Sequence, residues 1–349
     1  MENSSPLCII VLAAGKGTRM KSTRAKVLHE VFYRPMLHHV LDSIAPLEPA
    51  KTVVIVGHQK DAVIEILESY EVTCSEQREQ LGTGHAVLSA RPLLSDFQGT
   101  IMIVNGDAPL LLGEHLQQMV EAHGISGAQL TIMTTTLADP TNYGRVISDE
   151  GGAVQAIVEE KDADHRQRAI REINAGIYVA EAAFLFDALA RVTTDNAQGE
   201  MYLTDIVGIG VEDGLKVNTF EHPHPEHVLG VNSKVELAKA HREISARRNG
   251  ALMAQGVTML DPLTTSVGPD VSLGSGCCLA AAVTILGRST IGDNSLVDPG
   301  VYLDNAEIGS GVKIGANSVI INRRVPDGAT LQPLTLLDDS TDDINQNQE

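Results

Sequence analysis

Residues 8–20 read Cys8-Ile9-Ile10-Val11-Leu12-Ala13-Ala14-Gly15-Lys16-Gly17-Thr18-Arg19-Met20. A near-continuous apolar run passes directly into small residues and two glycines. Such a run suits a strand covered on both faces, as in a parallel sheet. Similar runs occur at Thr52–Val56, Ile101–Val104 and Leu130–Met133. The stretches between and beyond them read as helices: Lys26–Ile44, Lys60–Ser69, Gly84–Leu94, Leu112–Ala122 and Ala180–Ala190. This alternation, which continues to about residue 232, specifies a doubly wound, mostly parallel α/β domain over residues 1–232. Ligands of such sheets sit beyond the carboxyl ends of the strands. The glycine loop after the first run is therefore the first place to look for a site.

A different pattern follows. Residues 233–256 contain a charged helical stretch that reads as a connector. From 257 the aliphatic residues Val267, Leu273, Leu279, Ile285, Ile291, Val297 and Leu303 recur every six positions, slip by one to Ile308, and resume at Ile314 and Ile320. A period of six fits a hexapeptide solenoid, each unit forming one side of a triangular coil with its aliphatic residue pointing inward. Residues 257–330 are expected to make roughly three coils. The acidic stretch 331–349 reads as a disordered tail.

Composition excludes several function classes. The chain has 26 Lys+Arg against 45 Asp+Glu, a net charge of −19, which disfavours general nucleic-acid binding. Six Tyr, five Phe and no Trp disfavour a stacking-based single-strand binder. The longest apolar run, Leu7–Ala14, is far shorter than the roughly 20 residues of a membrane span. It also lacks the basic flank of a signal peptide. Cys8, Cys74, Cys277 and Cys278 show no framework spacing and read as reduced thiols, so a cytoplasmic location is expected.

In an acidic chain, a phosphate ligand must be held by local cations and backbone amides. The segment Ala13–Gly17 offers glycine-rich backbone for an anion nest, with Lys16, Arg19 and Lys26 nearby. It matches neither a Walker A loop nor a dinucleotide-binding fingerprint. Alone, it reads equally well as a tight turn with solvated lysines. A second pair of glycines, in Gln80-Leu81-Gly82-Thr83-Gly84, opens a helical stretch. Asp107 stands in a turn just past a buried strand, a place that suits either a Mg2+ ligand or an Asx turn.

The motifs LAAGKGTRM, KVLH, EQLGTGHA, NGDAPL, YGR, VEEKDA, EINAGIY, NAQGEMYLTDI and GVN occur in this order within residues 8–232. As a set they resemble the uridylyltransferase half of the bifunctional family that makes UDP-N-acetylglucosamine. That resemblance implies a nucleotide-diphospho-sugar transferase-like sheet followed by a short left-handed β-helix. It also implies Mg2+-dependent transfer from UTP to N-acetylglucosamine-1-phosphate, for cell-envelope precursors. Leu12, Ala13, Ala14 and Gly15 would cradle the nucleotide. Arg19 would hold the leaving pyrophosphate, Lys26 the reacting phosphates, and Gln77, Gly82 and Thr83 the uracil. Asp107 and Asn232 would bind Mg2+. Gly144, Glu159 and Asn174, with Asn232, would read the sugar. Two positions depart from the family. Ala25 stands where proline often precedes the lysine, which implies a less rigid loop, and Asn105 stands where an aromatic can precede the Gly-Asp pair.

A sugar-1-phosphate is already anionic near neutrality, with a second pKa of about 6, and needs no general base. This agrees with the lack of an obvious His–Asp pair in the motifs. Readings set beside this one are transfer to another sugar phosphate or from another NTP, a hexapeptide acyltransferase, and a non-catalytic regulatory subunit. The family's longer β-helix carries an acetyltransferase histidine, whereas the last histidine here is His241, so acetyl transfer is expected to be absent. The solenoid is expected to assemble a homotrimer. The segment His222-Pro223-His224-Pro225-Glu226-His227 reads as an extended, solvated loop.

Overall fold

The computed structural model describes residues 5–338, so the end of the acidic stretch, 339–349, lies outside the described residues. The chain divides into two compact units between Leu237 and Ala238.

The first unit is built on a sheet of β1 (Leu7–Leu12), β2 (Lys51–Val56), β3 (Thr73–Glu76), β4 (Thr100–Asn105), β5 (Leu130–Thr136), β6 (Arg145–Ser148), β7 (Val154–Val158), β8 (Glu172–Glu181) and β9 (Val217–Glu221). The order across the sheet is β9-β5-β8-β4-β1-β2-β3. The pairs β1–β2, β1–β4, β2–β3 and β5–β9 are parallel. Strand β8 runs antiparallel to both β4 and β5, so the sheet is mixed, though mostly parallel. The β6–β7 hairpin joins β8 through Arg145 and Ile173. Both faces are covered, which is why the strands read as unbroken apolar runs. Ile10, Val53, Ile55 and Ile103 pack on one side with Leu185, Leu189 and Leu203. Ile9, Val11, Val54 and Val104 pack on the other with Leu37, Leu41 and Leu116.

The stretch expected as one helix, Lys26–Ile44, is three elements. A single 3-10 turn, Lys26–Leu28, leads to a small hairpin of Glu30–Val31 and Arg34–Pro35, and then to the helix Met36–Ile44. Phe32 and Tyr33 take left-handed conformations at the hairpin tip, with φ of 47° and 65°. Pro35 pairs with Glu30 in the hairpin and has an extended ψ of 141°, so the helix starts after it, and a proline also disfavours helix at the residue before it. The boundary near Ala180 also moves, because β8 continues to Glu181 and the helix spans Ala182–Arg191.

The second unit begins within the helix Lys234–Ala254. Short parallel strands then stack in three ladders of five, five and four rungs. Val267, Ile285, Leu303, Ile320 and Leu337 lie in register on one ladder, and Leu273, Ile291, Ile308 and Val325 on another. These are the hexapeptide aliphatics, and they fill the core of the coil. The ladders are longer than the roughly three coils expected. They run past 330 to Leu336–Leu337, because Val325, Leu331 and Leu337 continue the pattern after a second five-residue step. Both short steps fall at the same corner. Between Leu286 and Thr290 the corner has Gly287-Arg288-Ser289; one coil later, between Asp304 and Glu307, it has only Asn305-Ala306. The Arg288 amide donates to the Asn305 side-chain carbonyl at 3.0 Å across the shortened corner.

Candidate active site

The glycine loop leaves β1 at its carboxyl end, as a doubly wound sheet requires, and lines a cavity of about 480 Å3. Leu12, Ala13, Ala14, Gly15, Arg19, Lys26, Gln77, Gly82, Thr83, Asp107 and Asn232 all contribute to its wall. The sequence therefore placed eleven of its candidates around one space, although they come from five separate segments.

Each wall is locally fixed. The Ala13 amide donates to the Ile55 carbonyl at 2.9 Å, and the His58 amide to the Ala14 carbonyl at 3.2 Å, so the loop is pinned to the end of β2. Gly17 adopts φ 61°, ψ 47°, and a Cβ on it would lie 2.6 Å from the Cβ of Lys26. The lysine side chain thus crosses the chain where glycine leaves room. Ala25 has φ −54°, a value open to proline, yet its amide donates to Gln59 Oε1 at 2.7 Å. Gln59 Nε2 also donates to the Thr23 carbonyl at 2.8 Å. The loop expected to be looser without proline is therefore tied down by Gln59.

The charged centre joins three segments. Lys26 Nζ forms an ion pair with Asp107 and donates to Asn232 Oδ1 at 2.6 Å. Arg19 Nη2 donates to the same oxygen at 2.8 Å. Both partners of the ion pair are largely buried, 13% and 19% exposed at the side chain, where attraction is less screened than at the surface. Asn232 is set by the start of the Lys234–Ala254 helix. Glu236 Oε2 accepts from the amides of Asn232 and Ser233 at 2.5 and 3.1 Å, and the Glu236 amide donates to Ser233 Oγ at 3.2 Å, a reciprocal capping box. Gly230 packs against Asp107; a Cβ there would lie 2.6 Å from Oδ1. Two hard oxygens, from Asp107 and Asn232, thus converge on one cationic nitrogen. The same donors fit a hard divalent cation whose remaining positions are completed by phosphate and water.

On the opposite wall, Gln77 is 5% exposed, and its Nε2 donates to the Gly82 carbonyl at 3.0 Å. Gly82 has φ 111°, and a Cβ there would lie 2.5 Å from the Met201 carbonyl. Gly84 donates to that carbonyl at 2.8 Å, and Met201 donates to Leu81 at 2.7 Å. The segment 200–203 is therefore the backing of the second glycine loop.

Gly144, Glu159 and Asn174 form a neighbouring cluster rather than part of that wall. The Asn174 amide donates to the Gly144 carbonyl at 3.0 Å, and a Cβ on Gly144 would lie 3.5 Å from both Glu159 carboxylate oxygens. Asn174 Oδ1 accepts from the Gly176 amide at 2.9 Å, and the Gly176 carbonyl accepts from Asn105 Nδ2 at 3.2 Å. Asn105 also lines the cavity, so one asparagine links the two groups. Glu159 accepts from Thr204 Oγ1 at 3.2 Å. Burial pushes its carboxyl above the ordinary range, against the Thr204 hydrogen bond, and neighbouring Asp205, Asp162 and Glu200 push it the same way. Arg145, 1% exposed, braces this region: it pairs with Glu160 at 2.6 Å and donates to the Ile170 carbonyl at 3.1 Å.

Reading the sequence left out Glu200 and gave Gln80 and Asn105 no site role, although all three line the cavity. Gln80 Nε2 donates to the Ala14 carbonyl at 3.0 Å, bridging the two glycine loops. Its place within the EQLGTGHA motif was the only available signal.

A glycine-lined cavity at strand ends, closed by cations and paired oxygens, offers the groups that a nucleotide phosphate needs. Residues 8–224 match the nucleotidyl transferase family, more than half of the chain, and the chain belongs to it. Residues 288–322 match the bacterial transferase hexapeptide (six repeats) family. Nucleotidyltransferases of this kind generally depend on a divalent metal. Within that class, the chain is similar to proteins named bifunctional protein GlmU. The one from Desulfotalea psychrophila is 48% identical over 320 residues, 92% of this chain and 94% of the relative. The one from Exiguobacterium sibiricum is 41% identical over 94% of this chain and 73% of the relative, and that from Thermobifida fusca 44% over 88% and 65%. The chain is a member of the GlmU family. Among the described residues, no helix is long and apolar enough to cross a membrane.

Proposed function

We propose that this chain transfers a uridylyl group from UTP to N-acetylglucosamine-1-phosphate. The sugar-phosphate oxygen attacks the α-phosphorus of UTP, the bond to the β-phosphate bridging oxygen breaks, and pyrophosphate leaves. The observation that carries this reading is the Lys26 ammonium, held between Asp107 and Asn232 at the mouth of two glycine loops. The reaction must bring two polyanions into line, so charge relief and alignment are its main demands. Lys26 and Arg19 supply the positive charge, and Arg19, an exposed side chain tethered to Asn232 Oδ1 at 2.8 Å, is placed to hold the departing pyrophosphate. Mg2+, held by Asp107 and Asn232, supplies further neutralisation between the phosphates when bound. The loop Leu12–Gly15 orients the nucleotide through its backbone, and Gln77 with Gly82 and Thr83 receives the base. Gly144, Glu159 and Asn174 receive the sugar. No residue is asked to remove a proton, because the attacking phosphate is already ionised.

Pyrophosphate release across a panel of NTPs and sugar-1-phosphates, with and without Mg2+, tests this. UTP with N-acetylglucosamine-1-phosphate is expected to give the highest kcat/KM; a different best pair would replace the substrate assignment. We further propose that the hexapeptide unit assembles a homotrimer. Exposed Leu260, Leu263, Leu296, Leu334 and Leu336 give it apolar surface to cover. Sedimentation equilibrium of the whole chain is expected to return three times the monomer mass.

A further inference from the structure

The segment His222–His227 is only in part the solvated loop its prolines suggested: Pro223, His224 and Glu226 are exposed, but His222 is not. The His222 amide donates to the Thr134 carbonyl at 2.8 Å, extending β9, and the His222 side chain is buried with the residue 2% exposed. Pro225 opens a short helix, Pro225–Val228, that turns His227 back toward it. His115, from the helix Gly113–Ser126, completes the group.

We propose that His115, His222 and His227 form a site for a borderline divalent transition metal, with Zn2+ as the reference ion. One ring nitrogen from each lies within 4.8 Å of the others. The closest pair, His222 Nε2 and His115 Nδ1, is 2.9 Å apart and shares a hydrogen bond. Tetrahedral zinc with imidazole bonds near 2.0–2.1 Å sets its ligand nitrogens about 3.3 Å apart, so this pair already has nearly the required spacing. The rings of His115 and His227 are stacked at 14°, with centroids 5.8 Å apart, and the third nitrogen stands within the same 4.8 Å group.

The surroundings also suit ligation. A ligating imidazole needs an acceptor for its other N–H. His222 Nδ1 has the His224 carbonyl at 3.0 Å, an acceptor for the proton it carries once Nε2 ligates; in the other tautomer the same nitrogen accepts from the His224 amide at 3.1 Å. Imidazole nitrogens select zinc-like ions over the oxygen-seeking Mg2+. His115 and His227 are partly exposed, which leaves an entry path. His115 follows Asp107 by eight residues and His227 precedes Asn232 by five, so an ion here fastens together the segments that carry both oxygens of the charged centre.

The test is Zn2+ binding to the chelator-stripped whole chain in excess Mg2+, by competition with a chromophoric chelator, with Co2+ as a spectroscopic substitute. The expected result is one equivalent of Zn2+, the intense visible Co2+ bands of a tetrahedral nitrogen site, and a raised Tm. His115→Gln and His227→Gln, at partly exposed positions, are expected to stay folded by circular dichroism and to bind about 100-fold more weakly, at least matching the loss of an outer-shell partner. Asp107→Asn is expected to bind as the parent does. Absence of tight binding, equal binding by the histidine variants, or loss of binding in Asp107→Asn would overturn the assignment; the last would place the ion in the nucleotide cavity.

Discussion

Replacing Gly17 with alanine separates the placement of Lys26 from its chemistry. The substitution meets two obstacles. The left-handed conformation costs a side-chain-bearing residue ~1–2 kcal/mol, which for a unit of this size lowers Tm by ~2–8 °C. In addition, the new Cβ lies 2.6 Å from Lys26 Cβ, 3.1 Å from Cγ and 3.2 Å from Cδ. Carbon atoms pack at roughly 3.5–4.0 Å, so the two segments must part by about 1 Å. The displacement falls at the root of the lysine side chain, where rotation of its tip cannot absorb it. A 1 Å misplacement of a reacting group costs ~100-fold in rate, equivalent to about 2.7 kcal/mol of barrier. The assay is steady-state pyrophosphate release with UTP and sugar phosphate varied in turn, beside a thermal melt. The expected result is a loss of ~100-fold in kcat/KM in a folded protein. Gly17→Asn divides the two effects, because asparagine tolerates the left-handed region but keeps the Cβ. It should recover much of the Tm and little of the rate. Near-parental kcat/KM in Gly17→Ala with a lowered Tm would refute the reasoning, since the lysine's position would then not depend on that contact.

Lys26→Ala and Asp107→Asn are each expected to lower kcat by ~100-fold or more while the chain stays folded, as for loss of one preorganised electrostatic contact, measured by the same release assay. Glu236→Ala removes the acceptor for two amides that set Asn232; it should cost ~1 kcal/mol in a denaturant melt and lower kcat, with Glu236→Gln restoring most of both. Glu159 binds its proton more tightly folded than unfolded, because burial raises its pKa above the ordinary 4.5. Its contribution is therefore most favourable below 4.5 and declines as pH rises through the window up to the folded value. Glu159→Gln, which keeps an acceptor for Thr204, should raise Tm near neutral pH and leave it unchanged in acid, as melts across pH will show.

The alternation of apolar runs gave the sheet and its layers because both faces are covered, and the six-residue spacing gave the coil because each aliphatic meets its counterpart one turn away. Neither signal carried strand direction, so the antiparallel β8 was not legible: its apolar residues look like those of its parallel neighbours. Pro35 contained the correct start for the helix Met36–Ile44, and the pattern around it masked that start. The cavity was legible through glycines and charges at strand ends. Gln80, Glu200 and Asn105 were not, because an amide or carboxylate beside a glycine loop becomes informative only once the distant partner is known. The histidines of 222–227 were misread for the same reason. Their partner, His115, stands more than a hundred residues earlier, and only the fold brings it alongside.

The shortened corner of the coil shows how such a repeat changes its count without unwinding. At the corner that is one residue shorter, the Asn305 side-chain carbonyl accepts from the Arg288 amide, just as Asp293 Oδ1 accepts from the Ser275 amide at a corner of full length. A side-chain oxygen set one turn further on is thus a recurring clasp of these corners, whatever their length. The interruption stays local because the ladders on either side keep step, Leu286 with Asp304 before the corner and Thr290 with Glu307 after it.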